Sequence, residues 1–161
     1  MSVYTTIDSP LGELLLVGES LGNTTTLTRV AMPGQKSFAV QPEWVRDDAA
    51  FDGIIAQLRA YFAGELTRFD IEFASAGSEF QQQVWQALDE IPYGETVTYG
   101  RIAADIGAPR SAVRAVGAAI GANPLLIIRP CHRVLGANGS LTGYAGGIER
   151  KQQLLELEHA A

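Results

Sequence analysis

The sequence predicts an α+β protein. We expect a small N-terminal α/β domain (strands plus a helix), followed by a mostly helical C-terminal domain like a winged helix-turn-helix. The first 40 residues are rich in β-branched residues and turn signals, and residues 49–66 carry apolar side chains at helical spacing. Residues 96–121 form two short helical patterns around a Gly- and Pro-containing turn. The linker-like run 74–77 predicts domains at 1–75 and 76–161.

The N-terminal domain is predicted to contain strands, turns and one amphipathic helix. Residues 9–12 (Ser-Pro-Leu-Gly) are typical of a turn, and the runs 14–17 and 24–30 are typical of strands. Between Ala49 and Leu66 the apolar residues recur at helical spacing, which predicts a helix with Gly64 near its end. We expect this domain to be structural.

Four helices are predicted in the C-terminal domain. Ser78 and Gln81 have the spacing of a capping box, which opens the first helix. Thr98 is the expected N-cap of a second, short helix, and Gly107 is its expected stop. The third helix is predicted at residues 112–121, and the last one runs from about residue 148 to residue 158.

The third helix is unusually rich in alanine and glycine, and Arg114 is its only large polar side chain. Small side chains would let this helix approach a nucleic-acid groove closely, as the second helix of a helix-turn-helix does. Tight packing against another helix needs the same small residues. Geometry alone leaves both interpretations open.

The net charge of −6 hides an asymmetry along the chain. Residues 1–93 carry five Lys/Arg and 13 Asp/Glu, whereas residues 94–161 carry seven Lys/Arg and five Asp/Glu. Between residues 94 and 134 the arginines are Arg101, Arg110, Arg114, Arg129 and Arg133. This excess favours a basic face that binds phosphates, although a solvated surface of mixed charge is the alternative.

The composition also excludes several classes of protein. A single cysteine excludes an internal disulfide, and no apolar stretch approaches the length that crosses a bilayer. The first residues lack the features of a signal peptide, so we expect a cytoplasmic protein without a membrane partner. Cys131, His132 and His159 are too few for a closed zinc site, so no metal is expected.

Cys131 is the only cysteine, and His132 follows it. A thiol beside an imidazole provides a soft nucleophile and a group that can accept its proton. A lone cysteine is also commonly a small buried apolar residue without any chemistry. The pair alone therefore does not decide between the two.

A series of short motifs spans residues 78–158 in order. They are Phe-Gln at 80–81, Val-Trp at 84–85, Ile-Pro-Tyr-Gly-Glu-Thr at 91–96, Tyr-Gly at 99–100, Arg-Ala-Val-Gly at 114–117, Asn-Pro at 123–124, Pro-Cys-His-Arg-Val at 130–134, Gly-Tyr at 143–144 and Gly-Gly at 146–147. Together they resemble the O6-alkylguanine-DNA alkyltransferase family, which moves an alkyl group from guanine to a cysteine. Residues 1–75 match that family only loosely.

The resemblance implies a set of catalytic residues. Cys131 would be the alkyl acceptor, and His132 would be the general base through a bridging water. Glu158 would orient and charge-stabilise the imidazole, and Asn123 would fix the active-site turn. Tyr99 would donate a hydrogen bond to the guanine ring and crowd the target phosphate. We expect Cys131 and His132 to point to opposite faces of a strand, and the His132–Glu158 couple to lower the pKa of the thiol.

The resemblance also implies a DNA interface and a substrate pocket. Arg114 would fill the space that the flipped nucleotide leaves, and the helix would lie in the minor groove of double-stranded DNA containing O6-alkylguanine. The expected DNA-binding residues are Arg114, Tyr99, Ala112, Ala115, Gly117 and Ala118. The expected pocket residues are Tyr144, Ala145, Gly146, Gly147 and Arg133.

The implied reaction is a stoichiometric, irreversible transfer to Cys131, because nothing in the sequence suggests a group that removes the product thioether. We expect no small-molecule cofactor, and a monomer in the absence of DNA. Some family members have a serine where this chain has Ala145, so a backbone amide would have to take over its contact with O6. Leu126 replaces a proline of certain members, which bears on bulky substituents such as benzyl.

Two other functions fit parts of the pattern. A cysteine hydrolase would use Cys131, His132 and Glu158 as a triad, but it leaves the helix-turn-helix and Arg114 unexplained. A sensor or regulator of alkylation damage would bind lesions through the same fold. The sensors of this superfamily lack the reactive cysteine, which this chain has.

Overall fold

The structure is a computed structural model, and it describes residues 1–159. The chain divides into two compact units, with the division between Ser75 and Ala76. The first unit contains a sheet and a helix, and the second contains four helices and a pair of two-residue strands. The predicted α+β fold class is confirmed. No helix among residues 1–159 is long and apolar enough to cross a membrane.

The sheet of the first unit has four strands in the order β3-β2-β1-β4. They are β1 (Ser2–Ser9), β2 (Gly12–Leu21), β3 (Thr24–Ala31) and β4 (Val45–Arg46). β1, β2 and β3 pair antiparallel in sequence order, and β4 pairs parallel with β1. A register shift lies at Val17/Gly18, where an added Cβ on Gly18 would be 2.8 Å from the Thr26 carbonyl oxygen. Only glycine fits this bulge without a shift of the backbone.

Both faces of this sheet are covered. Alternate residues of β1 are buried on the face where Thr5 donates a hydrogen bond to Asp48 at 2.6 Å. On the opposite face, Leu15 and Val17 pack with Tyr4, Phe38 and Trp44. A central strand with two covered faces needs apolar side chains at consecutive positions. This explains why residues 14–17 form an unbroken apolar run.

Helix α1 (Asp52–Phe62) follows a 3-10 turn at Asp48–Phe51. Ile54, Leu58 and Tyr61 form its buried stripe, in agreement with the predicted amphipathic pattern. The helix ends earlier than residue 66, because Gly64 and Glu65 donate backbone hydrogen bonds to Tyr61 and Ala60. This pair of hydrogen bonds is a Schellman motif, which commonly ends a helix.

The second unit is built on α2 (Glu79–Asp89), α3 (Tyr99–Asp105), α4 (Val113–Gly121) and α5 (Ile148–Leu157). The predicted capping box is present at the start of α2. Trp85 of α2 donates a buried hydrogen bond of 2.8 Å from its indole nitrogen to the Ala119 carbonyl of α4. α4 therefore buries one face against α2.

α3 and α4 form the predicted helix-turn-helix. The Thr98 side chain caps α3 by accepting from Arg101, and Gly107 ends it with a φ of +72°. Residues with a side chain rarely adopt that conformation. A 3-10 turn at Arg110–Ala112 then leads into α4. Next to this pair, β5 (Val97–Thr98) and β6 (Val134–Leu135) pair in parallel.

Candidate active site and nucleic-acid interface

Two tight turns place Cys131. Ile127 has a φ of +72°, and Ile128 donates to the Leu126 carbonyl at 2.8 Å across it. Pro130 has φ −79° and ψ 55°, and Cys131 donates to the Arg129 carbonyl at 2.8 Å across it. Both are γ-turns, and the first has the strained, positive-φ form that a β-branched residue rarely adopts.

The expectation that Cys131 and His132 lie on a strand is wrong. Cys131–Arg133 form one turn of 3-10 helix, and the strand starts only at Val134. The γ-turn at Pro130 redirects the chain immediately before the thiol, so extended backbone cannot begin there. The two side chains therefore diverge because of helical rather than strand geometry.

Asn123 connects these turns to the thiol. Its Nδ2 donates to the carbonyl oxygens of Leu125 at 3.3 Å and Arg129 at 3.4 Å, and to Cys131 Sγ at 3.3 Å. Its Oδ1 accepts from the Leu125 amide at 3.0 Å and from Arg129 Nη1 at 3.3 Å. The side chain is 3 % exposed. A buried amide with this many partners fixes both the turn and the orientation of the sulfur.

His132 is fully buried, and its Nε2 lies 2.8 Å from Glu158 Oε2. The same carboxylate accepts from Arg133 Nε at 2.7 Å and from Arg133 Nη2 at 3.0 Å. Charge-assisted bonds of this kind favour an ionised carboxylate, which can only accept. Nε2 must therefore carry the proton, and a neutral His132 keeps its lone pair on Nδ1. Nδ1 is buried without a hydrogen-bond partner among residues 1–159.

Burial lowers the pKa of His132, although the hydrogen bond and charge of Glu158 oppose this effect. The imidazole is therefore neutral at neutral pH and able to accept a proton. Glu158 is the C-cap of α5, where a negative charge is unfavourable for the helix dipole. The hydrogen bonds from His132 and Arg133 offset that cost.

The expected lowering of the thiol pKa is wrong for the protein without substrate. Burial raises the pKa of Cys131 to about 11, outweighing the opposing effects of the Asn123 hydrogen bond, the Lys151 charge, a backbone hydrogen bond and the Arg129 charge. Desolvation disfavours the thiolate more than these neighbours stabilise it. The resting state is a neutral thiol beside a neutral imidazole.

Lys151 is a site residue that the sequence analysis missed. It is fully buried on α5, and its Nζ donates to the carbonyl oxygens of Val134 at 2.6 Å and Thr142 at 2.9 Å. Its charge lies close enough to Cys131 to favour the thiolate. Lys151, Leu154, Leu155 and Glu158 follow the spacing of one helical face. Two charged residues on an apolar stripe were the signal that could have identified it.

Cys131 borders a cavity of about 270 Å³. The cavity is lined by Tyr99, Gly117, Ile120, Gly121, Cys131, Gly143, Tyr144 and Ala145. It lies between the small residues of α4 and the loop before α5. The thiol is therefore reachable through this cavity, although Cys131 itself is buried.

The structure brings some of the predicted pocket residues to this cavity and not others. Tyr144 and Ala145 line it, whereas Gly146, Gly147 and Arg133 do not. Gly146 is buried and accepts from Arg150, and Gly147 is the N-cap of α5. Arg133 is wrongly predicted as a pocket residue, because its guanidinium donates to Glu158 and to the Ile91 carbonyl.

The predicted DNA-binding residues lie on the exposed side of α4 and at its entrance. Arg114, Ala115 and Ala118 are exposed, while Gly117 and Ala112 are partly exposed. Tyr99 opens α3, and its hydroxyl accepts from Thr142 Oγ1 at 3.3 Å. Val116, Ala119 and Ile120 form the buried face of α4, so the packing interpretation applies to Ala119, and groove binding by the exposed small residues stays a prediction.

The predicted basic face is smaller than expected. Arg129 and Arg133 are 4 % and 7 % exposed, so their charges lie inside the protein and do not contribute to a surface that could bind phosphates. Arg101 is paired with Asp105 at 3.0 Å on the surface. Arg110 and Arg114 remain exposed beside α4. Within residues 1–159, no group of at least three His, Cys, Asp or Glu residues could hold a metal ion.

Comparison with known proteins gives a match along both units. Residues 2–75 match the family described as "6-O-methylguanine DNA methyltransferase, ribonuclease-like domain", and residues 79–160 match "6-O-methylguanine DNA methyltransferase, DNA binding domain".

The chain is also similar to curated proteins named methylated-DNA--protein-cysteine methyltransferase, two of which come from Mycobacterium bovis and Methanosarcina acetivorans. The one from Mycobacterium bovis is 56% identical over 155 residues, which is 96% of this chain and 91% of the relative. The one from Methanosarcina acetivorans is 52% identical over 156 residues, covering 96% and 97%.

Solved structures are similar throughout. The crystal structure of Mycobacterium tuberculosis O6-methylguanine methyltransferase is 55% identical, with a TM-score of 0.87, covering 99% of this chain and 94% of that one. The crystal structure of Mycobacterium tuberculosis OGT in complex with DNA is 54% identical, with a TM-score of 0.88, covering 98% and 93%.

Proposed function

Because the chain belongs to the 6-O-methylguanine DNA methyltransferase family, we propose that it repairs DNA by transferring the methyl group of O6-methylguanine to Cys131. The observation that carries this proposal is the position of the thiol. It is the only cysteine, it borders a cavity beside the exposed small-residue face of α4, and it adjoins a histidine held by a buried carboxylate.

The reaction is a displacement at the methyl carbon. The sulfur forms a bond to that carbon while the bond from carbon to O6 breaks, and the electron pair of that bond moves to guanine. The thiol proton passes through a bridging water to His132 Nδ1, guanine takes up one proton from water, and the imidazolium afterwards releases its extra proton to water. The overall change is therefore neutral, with a thioether and an unmodified guanine as products.

The raised thiol pKa determines when this reaction begins. A thiol with a pKa of about 11 is almost entirely protonated at neutral pH, so the thiolate forms only as the base accepts its proton. Asn123 and Lys151 then stabilise the developing negative charge, since both already favour the thiolate. Glu158 stabilises the imidazolium that results from proton transfer.

The leaving group also needs stabilisation, because negative charge develops on the purine. Tyr99 lines the cavity and carries a hydroxyl that can donate to the guanine ring. Ala145 lines it too, and with no side-chain donor it can offer only its backbone amide to O6. Tyr144 also lines the cavity.

DNA would bind along α4. Ala115, Ala118 and Gly117 present a narrow face to solvent, which suits close approach in the minor groove. The alkylated nucleotide would rotate out of the duplex into the cavity, and Arg114 would occupy the space it leaves. One copy provides one acceptor thiol and one such helix, so a monomer suffices.

Mass spectrometry tests the proposal. The protein is incubated with a duplex carrying O6-methylguanine, and the intact mass and peptide masses are then measured. We expect a gain of one methylene group on the Cys131 peptide, saturating at one per protein. Cys131→Ser should lose the transfer and keep binding to the damaged duplex.

Two outcomes would contradict the proposal. A folded wild-type protein that binds the lesion without any gain in mass would be a damage sensor. Turnover beyond one methyl group per protein would require a step that regenerates the thiol.

A further inference from the structure

A buried guanidinium lies next to the acceptor thiol and takes no part in the proposed proton transfer or displacement. Arg129 is 4 % exposed and precedes Cys131 by two residues. Its guanidinium lies over the Trp85 ring, 5.0 Å from the ring centroid, and its Nε is 3.6 Å from Asp89 Oδ1. A buried cation is costly, and a replacement by an apolar side chain of similar size would avoid that cost. Its position therefore calls for an explanation.

The guanidinium is connected to the sulfur through one side chain. Arg129 Nη1 donates to Asn123 Oδ1 at 3.3 Å, and Asn123 Nδ2 donates to Cys131 Sγ at 3.3 Å. A cation that donates to an amide oxygen draws electrons away from the amide nitrogen. The N–H groups on that nitrogen become stronger donors, as in other chains of hydrogen bonds.

The orientation of the amide does not depend on Arg129. Asn123 Oδ1 also accepts from the Leu125 amide at 3.0 Å, and Nδ2 donates to the Leu125 carbonyl at 3.3 Å. These two bonds hold the amide when the guanidinium is removed. The effect of Arg129 is therefore separable from the geometry of the turn.

We propose that Arg129 is a positioning residue for methyl transfer, whose charge acts through the Asn123 amide to stabilise the Cys131 thiolate. The proposal rests on the proposed function, in which that thiolate is the nucleophile. Its physical part, the effect on the thiol, is independent of DNA. The direct charge of Arg129 also lowers the pKa of Cys131, although burial, which raises it, has the largest effect.

The other groups around these residues are known. Cys131 is faced by Lys151 from α5, and Tyr99 lines the same cavity. Arg129 is faced by Asp89 of α2, whose pKa is raised by burial in spite of the Arg129 charge. Asp89 opposes Arg129, because its negative charge reduces the positive potential at the thiol.

The test measures the pH dependence of Cys131 alkylation by iodoacetamide, without DNA. The single cysteine makes the signal unambiguous. For Arg129→Met we expect the rate to fall about three- to tenfold at every pH below the thiol pKa, which corresponds to a half to one pKa unit. Arg129→Lys should recover part of the loss, because it retains the charge.

Two further variants separate charge from structure. Asp89→Asn removes the same ion pair by neutralising the carboxylate and leaves the guanidinium in place. We expect the alkylation rate to stay equal or to rise about threefold, because the positive potential at the thiol increases. Arg101→Met is the matched control, because Arg101 is also paired with a carboxylate, but on the surface. It should leave the profile unchanged.

A folded Arg129→Met protein whose pH profile coincides with that of the wild type would overturn the proposal. So would equal losses in Arg129→Met and Asp89→Asn, since these would indicate a structural ion pair. If Arg129→Met fails to fold, Arg129→Lys and Asp89→Asn decide. A wild type that transfers no methyl group would contradict the proposed function, but it would leave the iodoacetamide result intact.

Discussion

Glu158→Gln removes the charge that His132 and Arg133 share. The carboxylate has two acceptor oxygens, and it receives hydrogen bonds from His132 Nε2, Arg133 Nε and Arg133 Nη2 at 2.7 to 3.0 Å. A carboxamide has one acceptor oxygen, and its amino group can only donate. At least one of the three donors would then face another donor.

The expected loss of stability is large, because the site is dry. Glu158 is 1 % exposed and Arg133 is 7 % exposed, so the variant leaves a buried guanidinium without its counterion. Breaking a buried pair in this manner costs about 3–5 kcal/mol. The free energy of unfolding, measured by urea denaturation at pH 7, should fall by that amount.

The effect on transfer is distinct from the effect on stability. The amide is neutral in either orientation, so the imidazolium that would form when His132 accepts the thiol proton loses the negative charge that stabilises it. General-base catalysis contributes about 10²–10⁴-fold, so the single-turnover rate should fall by at least about 10²-fold in protein that is still folded.

The matched control is Glu156→Gln, which makes the same change two residues away on the exposed side of α5. It should leave the free energy of unfolding within about 0.5 kcal/mol of the wild type. A Glu158→Gln protein with the stability and transfer rate of the control would refute the account of the His132–Glu158–Arg133 cluster.

Three further predictions follow from the site. Arg114→Ala should slow transfer from duplex DNA while leaving transfer from the free base nearly unchanged, and equal losses on both substrates would mean that Arg114 supports the fold. Gly117→Ala should keep the free energy of unfolding or raise it by up to about 1 kcal/mol, because alanine favours the helix over glycine. The added Cβ would lie 3.9 Å from the Tyr99 ring, which is an ordinary contact. It should nevertheless slow duplex transfer by narrowing the cavity, and an unchanged rate would remove Gly117 from the interface. Iodoacetamide labelling of wild-type Cys131 should rise about tenfold per pH unit up to a pKa of about 11, whereas a plateau near pH 8.5 would contradict the buried neutral thiol.

Local signals in the sequence were sufficient for most of the second unit. The capping box at Ser78, the N-cap at Thr98 and the stop at Gly107 are confirmed, because each depends on contacts within one turn of the chain. The family membership is confirmed as well. The roles of the individual site residues stay predictions.

Contacts between distant segments explain what the sequence could not predict. Ile127 adopts a positive φ within an apolar run that is typical of a buried core segment. Asn123, which precedes this run, stabilises the turn by donating to the Arg129 carbonyl. In the sequence, Arg129 and Arg133 cannot be distinguished from arginines that lie on the surface. Their burial depends on partners up to 42 residues away, such as Asp89, Glu158 and the Ile91 carbonyl. No local pattern carries this information.

The raised pKa of the thiol is consistent with the proposed single transfer per protein. Thiolate, rather than thiol, reacts with electrophiles, and at pH 7 a pKa of about 11 leaves roughly one molecule in ten thousand as thiolate. Under that proposal each adventitious alkylation of Cys131 would consume a whole protein, since the chain has one cysteine. A nucleophile with a low pKa would be faster, but it would be exposed to that loss at all times. In the proposed reaction, burial of the thiol next to a neutral base would couple its reactivity to the arrival of a substrate that fills the cavity.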